Sequence, residues 1–223
     1  MVPRVALDSR FLAVLGAAGL VMLAAPVVAD ESGPDAVGLT RLRGYLENLD
    51  AVRAEFRQEV IDSDREIIEE SRGHVVLKKP GRFRWHYTDP FERVIVGDGT
   101  RVWLYEADLQ QVTVRQMGAE LGETPAALLT GDTAALDQFN FVGAERIAGI
   151  DWLHLTPRST TSDFKSIGLG FDGKDLVQLA LDDRLGQRTR IYLTAIEYPN
   201  FVSDDEFHFD IPDGVDVIGE TDL

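Results

Sequence analysis

His74, His86, His154 and His208 are the side chains whose ordinary pKa lies nearest neutrality, and they are scattered singly along the chain. No His-Glu-x-x-His pair occurs, and a lone histidine on a strand is as a rule a surface or satisfied core residue. Asp62-Ser63-Asp64-Arg65-Glu66 has the opening of a calcium loop but lacks its turn glycine and distal glutamate, so it reads as a solvated hairpin tip. Asp204-Asp205-Glu206 reads as a charged loop. No serine stands in a Gly-x-Ser-x-Gly elbow, and no glycine-rich loop with Lys-Ser or Lys-Thr could cradle phosphates. There is no cysteine, which excludes a thiolate nucleophile, a Cys-ligated metal, a disulfide and a lipid attached through cysteine. The expectation is a chain that is not an enzyme and uses no cofactor or metal. What remains is apolar chemistry: Phe83, Trp85 and Tyr87 in one row, and the short run Thr124-Pro125-Ala126-Ala127-Leu128-Leu129.

The elements that position these residues are written in two periods. Leu39, Leu42, Leu46 and Leu49 recur every three to four residues with Arg41, Arg43 and Glu47 opposite, which predicts a helix with one apolar stripe. From Val52 the period becomes two, and alternating runs return about every ten residues, each closed by turn chemistry. Hairpin tips are expected at Asp62-Ser63-Asp64, Pro80-Gly81, Asp98-Gly99 and Asp172-Gly173. Strands are expected at Phe139 to Val142, Trp152 to Thr156, Lys165 to Phe171, Leu176 to Leu181, Thr189 to Ala195 and Phe207 to Phe209, with an extended tail over 212–217. On strand alternation, Phe83, Trp85 and Tyr87 share one face while Arg82, Arg84 and His86 share the other. Thr124 can cap, and Pro125 can open, a short helix ending near Gly131. A long antiparallel meander curls, and its concave face either packs on itself or encloses a cavity; a short apolar helix inserted between strands is placed to cover the mouth.

The first thirty residues are of different material. Arg4 and Arg10 precede an unbroken apolar stretch, Phe11 to Ala25; Pro26 and the small residues Val27-Val28-Ala29 follow. This predicts an export signal cleaved after Ala29. The expected organisation is signal peptide 1–29, flexible leader 30–38 and a single domain 39–223. Cleavage leaves 194 of the 223 residues, and takes the formal charge from −16 to −17 because Arg4 and Arg10 leave with Asp8. So acidic a chain repels nucleic acid and anionic membrane surface.

One ordered set of landmarks carries a resemblance. Lys78-Lys79-Pro80-Gly81-Arg82-Phe83-Arg84-Trp85-His86-Tyr87 is followed by Pro90, then Val96-Gly97-Asp98-Gly99, Val102-Trp103 and Tyr105. Gln111-Val112, Thr124-Pro125, Leu155-x-Pro157 and Pro212-x-Gly214-Val215-Asp216 complete it, and the similarity covers roughly residues Leu39 to Val217. It resembles the outer-membrane lipoprotein carrier protein family, LolA. The resemblance implies an α+β, mainly β fold: an unclosed antiparallel β-barrel of about 11 strands with short helices as a lid over an apolar cavity that takes acyl chains. It implies a periplasmic monomer that receives lipid-modified proteins from an inner-membrane ABC transporter and hands them to an outer-membrane receptor. That receptor carries an acylated cysteine, which favours the carrier role for a cysteine-free chain.

By the same resemblance, Phe83, Trp85, Tyr87, Leu104, Leu128, Leu129 and Leu169 line the acyl cavity, and Lys79 gates the lid. Family members usually have Arg at this last position, where it hydrogen-bonds lid backbone; lysine can replace the charge but not the planar fork. A competing class is a periplasmic module that senses a lipoprotein or peptide in signalling, which a second domain or membrane segment would favour. A hydrolase with an unrecognised site would reveal itself on acyl esters.

Overall fold

A strand whose alternate residues are apolar is stable only with one face covered. In the computed structural model, which describes residues 34–117 and 133–219, twelve strands meet that need in one open, curled sheet. They are β1 (Ala51–Ile61), β2 (Ile67–Lys78), β3 (Arg82–Asp89), β4 (Arg93–Asp98), β5 (Arg101–Glu106), β6 (Gln111–Gln116), β7 (Phe139–Ile147), β8 (Ile150–Pro157), β9 (Phe164–Asp172), β10 (Asp175–Asp183), β11 (Arg188–Glu197) and β12 (Asp216–Gly219). In space they run β12-β6-β5-β4-β3-β2-β1-β11-β10-β9-β8-β7. Every pairing is antiparallel except that of β12, which lies parallel on β6 with Asp216 opposite Gln111. β12 and β7 form the two edges, so the barrel does not close.

The helix α1 (Pro34–Asn48) begins earlier than its apolar stripe suggests, and residues 34–38, expected in a flexible leader, form its first turn. Proline suits that place because its missing N–H has no intrahelical acceptor there. Fifteen residues make a marginal helix in water, so α1 depends on what it packs against. Leu42 and Leu46, each 1% exposed, and Leu49 enter the core of the concave face. Gly38 lets the helix approach β7 and β8: a Cβ there would stand 2.9 Å from Phe141 and 3.0 Å from Leu153.

The hairpins follow the expected tips with one refinement. At both Asp-Gly pairs the aspartate ends the strand and the glycine opens the loop, with φ of +99° at Gly99 and +55° at Gly173. Asp98 adds a cap, since its Oδ1 accepts from the backbone N–H of Thr100 and Arg101, each at 2.7 Å, and its Oδ2 from Trp103 Nε1 at 3.0 Å. Burial pushes its pKa up, but these bonds, Trp103's first, outweigh burial and hold the carboxyl below the usual range.

The convex face is also apolar in one region. Val94 and Val96 of β4, Trp103 of β5, and Val112 and Val114 of β6 are buried beneath Val202 and Phe207. Phe207–Phe209, expected as a strand, is instead the end of a 3-10 helix (Asp204–Phe207) and the extended chain after it. Ser203 caps that helix by accepting from Asp205 N–H, which local geometry favours over pairing. Asp204 bridges Lys78 (2.5 Å) and Arg82 (2.6 Å), and Glu206 pairs with Arg53. The tail expected as simply extended supplies the twelfth strand.

Candidate ligand-binding site

Strand β3 sets the site. Its odd residues Phe83, Trp85 and Tyr87 all face the concave side, at 1%, 5% and 8% exposure, so none is a surface residue. Phe83 lies over Gly97: a Cβ at Gly97 would come 2.2 Å from Phe83 Cε1, so only glycine leaves room for the ring. Phe56 of β1 joins the row, its ring 5.0 Å from that of Trp85 and 4.9 Å from that of Tyr87. Across the sheet, Val75, Trp85, Ile95 and Leu104 stand opposite one another on successive strands. Leu104 is half-buried. Leu169, on β9 between Leu153 and Leu179, belongs to the far wall of the same core at 2% exposure.

The tyrosine hydroxyls around this core stay protonated at neutral pH. Burial pushes the Tyr87 hydroxyl up to about 12, against the pull of Arg93, whose guanidinium lies 4.7 Å from the ring centre. That hydroxyl donates to Gln58 Oε1 at 3.1 Å. Burial likewise raises Tyr45 and Tyr198. Trp85 Nε1 is buried and has no hydrogen-bond partner among the described residues.

Lys79 stands on the rim, in the β2–β3 turn, half-buried. Its ammonium donates to the carbonyl of Leu46 and, at 3.2 Å, to that of Glu47. Both belong to the last turn of α1, where carbonyls have no intrahelical donor. The bonded helix is thus the first one of the domain. The short helix expected at 124–129, with Leu128 and Leu129, lies outside the described residues.

Beside α1 the structure has a cavity of about 400 Å³ that the sequence did not disclose, bounded by Arg41, Tyr45, Leu49, Phe171, Lys174 and Tyr198. Arg41 is held at its edge by Asp151 (2.5 Å) and by the Gly173 carbonyl. Tyr198 donates to Asp175 at 2.8 Å. Phe171 and Leu49 carried the only signal, as members of alternating and helical apolar runs. The four histidines stay apart: His86 meets Glu92 at 3.3 Å, His154 meets Glu145 at 2.8 Å and His208 meets Asp210 at 3.1 Å. Among the described residues no group of three or more His, Asp or Glu is placed to hold a metal ion.

An open, mostly antiparallel barrel with a row of aromatic side chains on its concave face, and one helix laid across that face, is an architecture able to hold something apolar. The model of the family described as outer membrane lipoprotein carrier protein LolA matches residues 47–210. The outer-membrane lipoprotein carrier protein of Methylobacillus flagellatus is 37% identical over 211 residues, covering 95% of this chain and 100% of the relative. That of Nitrosospira multiformis is 38% identical over 186 residues, covering 83% and 90%. A crystal structure of an uncharacterised conserved protein from Thermus thermophilus shares the fold, at TM-score 0.50 and 15% identity over 82% of this chain and 96% of that one. The chain belongs to the LolA family. Members of that family are carriers that work in the periplasm and bind without catalysing, and this chain is not an enzyme.

Proposed function

We propose that this chain carries lipid-modified proteins across the periplasm: an inner-membrane ABC transporter releases them, their acyl chains enter the concave face, and an outer-membrane receptor takes them. Export by the signal peptide 1–29, with cleavage after Ala29, places residues 39–223 there as one carrier domain. Phe83, Trp85, Tyr87, Leu104 and Leu169 line the acyl site with Leu128 and Leu129, and Lys79 gates it. The observation that supports this reading is the aromatic row beneath α1, a helix whose last turn is tied to the rim by one ammonium group.

Solvation explains why a carrier is needed. Each methylene kept from water is worth about 0.8 kcal/mol, so a chain of a dozen or more resists crossing water by roughly 10 kcal/mol. The carrier needs no nucleotide if the receptor binds the chains more tightly, because transfer then runs down the affinity difference. The test is release of an acylated protein from inner-membrane vesicles into a soluble complex. The native protein forms that complex. Phe83→Glu abolishes it, because a charge in an apolar site costs several kcal/mol. The half-buried Leu104→Glu provides a second variant of the same kind. Normal release with both folded variants would refute the assignment, and loss of soluble protein in both would mark these residues as ordinary core.

A further inference from the structure

Among the buried side-chain polar atoms of the described residues, Trp85 Nε1 alone has no hydrogen-bond partner. An unmet N–H inside a protein carries a desolvation penalty that folding elsewhere avoids almost completely. Trp103 shows the ordinary solution in the same sheet, since its Nε1 donates to Asp98 Oδ2 at 3.0 Å. Among the described residues no acceptor reaches the Trp85 indole N–H. Its cross-strand neighbours are Val75 and Ile95, and the nearest ring is Phe56. Gln58 Oε1, on the same face, accepts from the Tyr87 hydroxyl at 3.1 Å and not from Trp85.

We infer that the Trp85 indole N–H donates to a carbonyl oxygen of the bound lipid, so that the site recognises the acyl linkage and not only the hydrocarbon behind it. This rests on the acyl-carrier reading above and names the one polar group in that ligand's tail. An acyl chain differs from an alkyl chain in having a carbonyl at its head. Trp85 lies two residues along β3 from Phe83, and therefore about 7 Å further from the β2–β3 turn. A carbonyl held there leaves the methylenes to run on past Tyr87 and Phe56.

The test compares 1,2-dioctanoylglycerol with its dialkyl ether counterpart, which has the same chains and hydroxyl but no carbonyl. The native protein binds the diester about three- to tenfold more tightly, the worth of one net hydrogen bond. Trp85→Phe keeps an aromatic ring without the N–H and brings the ratio close to one. A ratio unchanged in Trp85→Phe overturns the inference. The native protein gives an independent reading by NMR: the Trp85 indole N–H signal moves downfield with the diester and not with the diether, while that of Trp103 stays. Equal shifts with both lipids also overturn it. If neither lipid binds the native protein, the carrier reading itself fails, and this inference with it.

Discussion

The bond between Lys79 and α1 can be tested by removing the ammonium. Lys79→Leu deletes two hydrogen bonds, one to the part-buried Leu46 carbonyl and one, at 3.2 Å, to the exposed Glu47 carbonyl. A hydrogen bond from a charged donor is worth about 1.5 to 3 kcal/mol, and the low end applies because water can reach the freed carbonyls at the helix end. The exposed bond adds little, so the loss is about 1.5 to 2 kcal/mol. At 1.4 kcal/mol per factor of ten, helix lifting becomes roughly ten- to thirtyfold easier. A ligand that enters only when α1 is lifted has an apparent Kd inversely proportional to the lifted fraction. Titration with the neutral apolar dye N-phenylnaphthylamine should therefore show that rise in affinity for Lys79→Leu. Lys79→Arg should change it the other way, because a guanidinium offers five donors in a fixed planar fork against the three of a freely turning ammonium. Both variants stay soluble and monomeric, since the rim position hollows no core. Equal dye affinity in all three proteins would show that Lys79 does not set the helix equilibrium.

Three further outcomes follow from the packing. Gly97→Ala drives a methyl into Phe83 and should cost about 1 to 3 kcal/mol in urea unfolding, with weaker dye binding; an unchanged midpoint would show that the ring is free to move. Phe207→Ala should cost about 3 to 5 kcal/mol while dye affinity in the folded protein is retained, because Phe207 fills the convex cluster and not the concave one. Asp204 is held below the usual carboxylate range, first by Lys78 and then by Arg82, so its unfolded form binds the proton more readily. Its stabilising effect is then complete above the unfolded carboxylate pKa and fades as pH falls through the lower folded value. The difference in Tm between the native protein and Asp204→Asn should accordingly be present at neutral pH and vanish in acid; a difference independent of pH would rule out the ion pairs as its source.

The strands of the meander were legible because their signal is local: alternation at Phe83, Trp85 and Tyr87 needs only three residues and a period of two. The Asp-Gly tips were legible for the same reason, and at the first of them Asp98 also uses its side chain as a cap. Long-range partners were not. Asp204 and Glu206 read as a solvated loop because Lys78, Arg82 and Arg53 lie more than 120 residues away in the chain. β12 was hidden by the same separation from β6. The convex core did leave a trace. Val94-Ile95-Val96 is apolar at three consecutive positions, and such a run in a meander means that both faces of the strand are covered. Nothing in the order of residues could show that the indole of Trp85 lacks an acceptor while that of Trp103 has one.

Two cores on opposite faces of one sheet give the barrel a division of labour. A cavity wall that must part from its own lid loses contacts each time it opens, and a sheet held only from that side would lose its shape as well. Here β2 to β6 are clamped from outside by Val202, Phe207 and the chain running into β12, through contacts that make no use of the concave side. On the proposed reading the aromatic row on β3 keeps its backbone when α1 is lifted. α1 itself is a short helix held by three buried leucines, by the Lys79 tie at its end and by the Arg41 bonds to Asp151 and the Gly173 carbonyl. A rigid wall with a weakly held cover lets a carrier both accept a chain and release it. Strengthening the cover should slow uptake without stiffening the wall, whereas loosening the convex clamp should distort the wall and leave the cover's own bonds intact.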